Sequence, residues 1–154
     1  LIFGHQEKDY RGGTENVPYI IGLGKAAELL LHDESVNEIK NLRDYLESEI
    51  KKEIEDVKVY GDVKRRLANT TSIAFKGVKA DELMLLLESF SVFVSTGSAC
   101  NSQIAKPSHV LVECHADLDN YSPIRISLSK YNTKEEIDRF IKVLINVIKQ
   151  LRKK

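Results

Sequence analysis

Near the C-terminus, Ile137, Phe140, Ile141, Leu144, Ile148 and Leu151 recur at three- and four-residue steps. They follow a Thr133 and Glu136 pair at capping-box spacing. The pattern predicts a long helix with one apolar stripe, and such a stripe has to be buried against a second layer. The basic residues from Lys149 to Lys154 complement the negative end of the helix dipole and keep that end soluble. The rest of the chain must therefore supply a surface on which this helix lies.

Several segments can supply it. Residues 1–16 carry turn chemistry, with Gly4, Gly12, Gly13, Asp9 and Asn16, and predict a loop. Pro18 suits a first helical turn, and Ile20, Ile21, Leu23, Leu30 and Leu31 predict a well-buried helix despite Gly22 and Gly24. From Ser35, the spacing Ile39, Leu42, Leu46, Ile50, Ile54 predicts a longer amphipathic helix. Val57 to Tyr60 and Thr71 to Phe75 read as strands, and Asp81 as the cap of a short helix from Leu83 to Leu87. Val92-Phe93-Val94 reads as a further strand, Pro107 opens a short helix through Val110 and Leu111, and Ile124 to Leu128 alternates as a strand does. The order implies an α+β fold, with helices on one face of a small, largely antiparallel sheet. The other face is open, and another domain usually covers such a face.

Charge narrows the function. Lys and Arg number 23 and Asp and Glu also 23, which removes the main electrostatic argument for direct nucleic-acid binding or a membrane-surface protein. No apolar run is long enough to cross a bilayer, and the first residues form no leader, so the expected location is the cytoplasm. The chain opens on Leu1 and is at once apolar, which reads as a sequence that begins mid-protein.

Only Cys100 and Cys114 carry thiols, and a single disulfide between them is one reading. Cys100 sits in STGSACNSQ, residues 95–103, where small residues offer little for a core. An exposed thiol on a pliable stretch suits transfer chemistry, with reactivity set by its thiolate fraction. Cys114 and His115 are adjacent but lack metal-ligand spacing and read as structural, and no metal site is expected. His109 and His32 read as packing or capping residues of helices.

The block STGSAC, followed by KPSHVL and SPIRISLSKYNTKEEID, resembles the C-terminal part of the cysteine desulfurases, and so does the opening RGGTENVPYIIGLGKA. These are pyridoxal-phosphate enzymes of fold type I that take sulfur from L-cysteine. The resemblance runs from about residue 4 to residue 152. It implies that residues 1–32 are the tail of a large cofactor domain with its connecting helix, and that residues 33–154 are the small C-terminal domain with the cysteine loop. By the same resemblance, Cys100 is the nucleophile that takes the substrate's sulfur as a persulfide while alanine leaves. Arg125 holds the substrate α-carboxylate, for which a guanidinium fork is the natural receptor. Thr14 reaches into a neighbouring subunit to bind the cofactor phosphate. The loop before Pro107 resembles the long-loop class that feeds iron–sulfur scaffold proteins and thiouridine pathways, and homodimerisation is implied for the complete enzyme.

Two departures stand out: His5 replaces a glycine before Gln6-Glu7, and Ser129, Lys130 and Tyr131 replace a usual Gly-Arg-Phe. The family's Schiff-base lysine, its pyridinium aspartate and its ring-stacking histidine have no counterpart in this sequence. The resemblance thus implies a portion of a desulfurase that is inactive until joined by an N-terminal half bearing that lysine. The competing expectation is a non-catalytic interaction or sulfur-acceptor domain that binds an iron–sulfur scaffold. A redox-reactive thiol on an unrelated fold is the weakest alternative.

Overall fold

The structure, a computed structural model, describes residues 4–31, 33–96 and 108–153. It divides into two compact units, Leu1–Glu34 and Ser35–Lys154.

The first unit carries a loop and one helix, α1 (Val17–Leu31). No residue of α1 is buried, and Leu23, Ile21 and Leu30 are largely exposed. The expectation of a well-buried helix is corrected here. Apolar composition makes a helix able to be buried, but only a neighbouring surface buries it.

In the second unit the elements run α2 (Ser35–Glu53), β1 (Val57–Tyr60), β2 (Thr70–Lys76), α3 (Ala80–Glu88), α4 (His109–Glu113), β3 (Tyr121–Ser127) and α5 (Lys134–Leu151). The three strands form one antiparallel sheet in the order β1-β2-β3. Opposed residues share a face, so Val59, Ile73 and Ile124 align on one side, with Val57 beside Phe75 and Thr71 beside Ile126. Against that side pack α2 and α3, and α5 packs on both of them within the same core. Leu46, Ile50, Leu83, Leu87, Ile73, Phe75, Ile124 and Leu144 are all fully buried there. All six residues of the C-terminal stripe are buried, as the spacing predicts. Fully burying such a side chain stabilises by about 1.5–3 kcal/mol before ordering entropy is counted.

Thr133 caps α5 as expected: its Oγ1 accepts from the Glu136 N–H, and Glu136 Oε2 accepts from the Thr133 N–H at 3.1 Å. A buried polar cluster fastens the connection between β1 and β2 to α2. Arg43, almost wholly buried, donates to the Leu67 carbonyl at 2.7 Å, and Arg66 grips Glu47 with two hydrogen bonds of 2.6 and 2.9 Å. Burial pushes the Glu47 carboxyl up, but the Arg66 hydrogen bonds, Thr71 and the positive charges of Arg66 and Arg43 together outweigh it and hold the group below its ordinary 4.5.

Two local expectations differ. Helix α3 starts at Ala80 after Lys79, with no side-chain cap, and Asp81 lies inside the first turn, where its charge complements the helix dipole. Val92-Phe93-Val94 is not a strand. Ser91 takes a left-handed φ of 58°, the Ser91 N–H donates to Glu88 O, and the Val92 N–H donates to Leu87 O. This is a Schellman-type ending, and it commits the Val92 amide to the helix rather than to a neighbouring strand. Pro107, expected to open α4, lies outside the described residues, and Ser108 is the N-cap of that helix.

Candidate active site

Alternation along β3 decides where Arg125 faces. Ile124 and Ile126 are buried in the core, whereas Arg125 and Ser127 are exposed on the opposite side of the sheet. There Arg125 stands in a polar row. It lies opposite Ser72 of β2, which in turn lies opposite Tyr60 of β1. On its other side Arg125 forms an isolated antiparallel bridge with Ser95: its N–H donates to Ser95 O at 2.6 Å, and the Ser95 N–H donates back at 3.2 Å. The Arg125 guanidinium has no hydrogen-bond or ion-pair partner among the described residues. A planar donor fork held on rigid strand backbone, free of an internal carboxylate, can receive one from outside.

Cys100 lies outside the described residues, as does His32. The structure does show where the chain leaves the sheet toward Cys100, since Ser95 is the residue bridged to Arg125. Cys114, at the C-terminal end of α4, is a free and exposed thiol.

Thr14 belongs to the first unit. Its loop is closed by backbone contact and by side chains: a Cβ on Gly4, at φ 118°, would meet Gly12 Cα at 2.8 Å. Gln6 Oε1 accepts from the Gly13 N–H at 2.6 Å, Arg11 donates to Gly13 O at 3.0 Å, and Arg11 also pairs with Glu15. His5, the residue that departs from the family pattern, reaches Asp9 at 2.8 Å on the surface. The Thr14 hydroxyl is exposed and has no partner among the described residues, which leaves it able to donate to an anion. Ser129 and Asn132 form a turn, with the Ser129 N–H donating to Asn132 Oδ1 at 2.8 Å, where the second departure from the pattern falls.

A cluster that the sequence reading missed crosses the same sheet face as Arg125. Asp117, in the connection from α4 to β3, accepts from Lys58 Nζ of β1 at 3.2 Å and from Asn120 Nδ2 at 2.9 Å. Its own N–H donates to the Tyr60 hydroxyl at 3.2 Å. The Lys58 ammonium also sits 4.0 Å from the centroid of the Tyr121 ring. The Asn120 side chain, and after it Lys58, holds the Asp117 carboxyl below the usual carboxylate range, while Asp117 raises Lys58. No local pattern announces a contact between residues so far apart in sequence, and only the strand order brings them together.

Among the described residues, no helix is long and apolar enough to cross a membrane.

Residues 2–140 match the family model of the class-V aminotransferases. The chain is 45% identical over 155 residues to a cysteine desulfurase of Trichormus azollae, covering 99% of this chain and 39% of that protein. A cysteine desulfurase of Sinorhizobium fredii is 45% identical over 152 residues, covering 97% of this chain and 39% of that protein. The solved structure of a NifS-like protein from Rickettsia africae superposes with a TM-score of 0.80 at 34% identity, over 97% of this chain and 39% of that one. The chain thus spans about two fifths of the length of the curated relatives it matches. An α+β unit with an antiparallel three-stranded sheet, together with a match over nearly all of its length, shows that this chain belongs to the pyridoxal-phosphate-dependent class-V aminotransferase family, with cysteine desulfurases as its relatives.

Proposed function

We propose that this chain supplies the sulfur-accepting portion of a cysteine desulfurase, with Cys100 as the persulfide-forming thiol and Arg125 as the receptor for the α-carboxylate of L-cysteine. The observation that carries the reading is the bridge between Ser95 and Arg125. Cys100 follows Ser95 by five residues, so chain connectivity alone keeps it within about 18 Å of Ser95, the residue bridged to the carboxylate receptor. A substrate anchored through its carboxylate is therefore within reach of a thiol on that tether.

The chemistry of the residues suits these roles. Arg125 would hold the substrate by two charge-assisted hydrogen bonds and fix which way its sulfur points. The Cys100 thiolate would attack that sulfur, forming an S–S bond as the carbon–sulfur bond breaks. The electron pair stays on carbon, is protonated there, and alanine leaves. The persulfide would then pass to an acceptor for iron–sulfur cluster assembly or tRNA thiolation, in the cytoplasm.

Pyridoxal phosphate, when bound, supplies the electron sink that weakens the substrate's carbon–sulfur bond. This chain's residues fit the phosphate end of that group: the unpartnered Thr14 hydroxyl, beside the close backbone approach of Gly4 to Gly12, suits one phosphate oxygen of a neighbouring subunit in a homodimer. No lysine lies in a cofactor-binding motif, so turnover requires an N-terminal half that carries one.

The test mixes the purified chain with pyridoxal phosphate and L-cysteine, alone and with the N-terminal half of a relative, and follows alanine and Cys100 persulfide by mass spectrometry. Persulfide only in the mixture, abolished by Cys100→Ala, is the expected result. Turnover that persists in Cys100→Ala overturns the assignment of Cys100. Absence of persulfide in the mixture favours a non-catalytic domain that binds a scaffold or accepts sulfur.

A further inference from the structure

The two backbone bonds between Arg125 and Ser95 fix how Arg125 meets its other neighbour. Its N–H and C=O both turn outward to Ser95, so neither is available to β2. Arg125 and Ser72, opposite each other in the register, are therefore a non-hydrogen-bonded pair, the kind whose Cα atoms lie about 4.5 Å apart and whose side chains stand closest. Pro123, with no N–H to give, falls at the neighbouring outward position of β3, as this phase requires. By the same alternation Ser72 turns its own N–H and C=O toward Tyr60, a wider pair with Cα atoms about 5.5 Å apart. Ser72 thus stands nearer to Arg125 than to Tyr60. Of the hydroxyls on this face, that of Tyr60 accepts from the Asp117 N–H and that of Thr70 donates to Asn69 Oδ1 at 3.1 Å. The half-buried Ser72 hydroxyl has no partner among the described residues. Ser127 is exposed and lies two residues along β3, about 7 Å from Arg125.

We infer that Ser72 is a second ligand for the substrate carboxylate, beside Arg125. The inference rests on the reading of Arg125 as the carboxylate receptor. A carboxylate has about four lone-pair sites, and a guanidinium fork fills two of them, one on each oxygen. One oxygen shared between two hydrogen bonds of about 2.8 Å joins donors up to about 5.6 Å apart. That span suits side chains whose Cβ atoms are about 4.5–5.5 Å apart. The Ser72 hydroxyl turns about a single bond, so it can aim its proton at that oxygen without disturbing the strand. The carboxylate takes no part in breaking the carbon–sulfur bond. A hydrogen bond to it is therefore made equally in the ground state and the transition state, and it lowers KM while leaving kcat unchanged.

The test uses the chain assembled with an N-terminal half and follows initial-rate alanine formation. Ser72→Ala is expected to raise KM for L-cysteine about tenfold, with kcat and the urea midpoint unchanged. Ser72→Thr keeps the hydroxyl on a β-branched side chain suited to a strand, and should hold KM within about twofold of the parent. Ser127→Ala, the same deletion farther along the face, keeps the parent KM. In the Arg125→Met background Ser72→Ala has no further effect, because the carboxylate is no longer held beside it. An unchanged KM in Ser72→Ala, an equal rise in Ser127→Ala, or the same factor with and without the Arg125 side chain overturns the inference. Failure of the carboxylate reading itself is read separately, as kcat/KM that is unchanged in Arg125→Met alone.

Discussion

Arg125→Met separates a substrate receptor from an ordinary surface arginine. The guanidinium is exposed and has no partner among the described residues, and its backbone bonds to Ser95 do not depend on the side chain. Its removal leaves no buried charge or acceptor behind, so stability should change by less than about 0.5 kcal/mol. A carboxylate held by charge-assisted hydrogen bonds gains about 1.5–3 kcal/mol from them, and their loss lowers kcat/KM for L-cysteine by about ten- to 150-fold. Arg125→Lys keeps the charge but loses the planar fork, and should recover only part of that factor. The assay is initial-rate alanine formation by the chain combined with an N-terminal half, beside urea unfolding of the same variants. Unchanged kcat/KM in Arg125→Met refutes the carboxylate role. A large fall in the urea midpoint refutes the premise that the side chain is structurally free.

Two predictions concern the scaffold that holds this face in place. Leu144 of α5 is fully buried in the core, so Leu144→Ala should cost about 3–5 kcal/mol, read as a lower urea midpoint at constant slope. Glu47 has its carboxyl held below the ordinary 4.5 despite its burial, by Arg66 first and by Thr71 and the Arg43 charge with it, so its contribution is full above about pH 4.5 and is lost as pH falls through the folded value. Glu47→Gln should therefore be less stable than the parent at neutral pH, and the difference should shrink on acidification below pH 4.5, as checked by thermal unfolding across that range.

The ends of the elements show how far local patterning reaches. Helix α5 and its Thr133–Glu136 capping box were legible because the signal is contained in one segment: a period, a cap and a reciprocal hydrogen bond three residues away. The orientation of Arg125 away from the core was legible for the same reason, as alternation along β3. Val92 to Val94 has equally strong β-propensity, yet Ser91 and the amides that follow it complete the end of α3 instead, so propensity lost to a competing set of hydrogen bonds. The apolar residues of α1 read as buried, but exposure depends on what lies beside a helix, and periodicity carries no record of that.

The amino-acid sequence by itself determined the α+β class, the apolar stripe of α5, the face on which Arg125 stands and the motif blocks that mark the family. Each is written in residues close together in the chain. Tertiary structure alone decided that Ser95 bridges Arg125, that Arg66 meets Glu47 and that Asp117 reaches across the sheet to Lys58. These pairs join residues from 19 to 59 positions apart. Which of them meet is set by strand order and register, and those follow from the packing of three helices on one face of the sheet rather than from any single segment's preference.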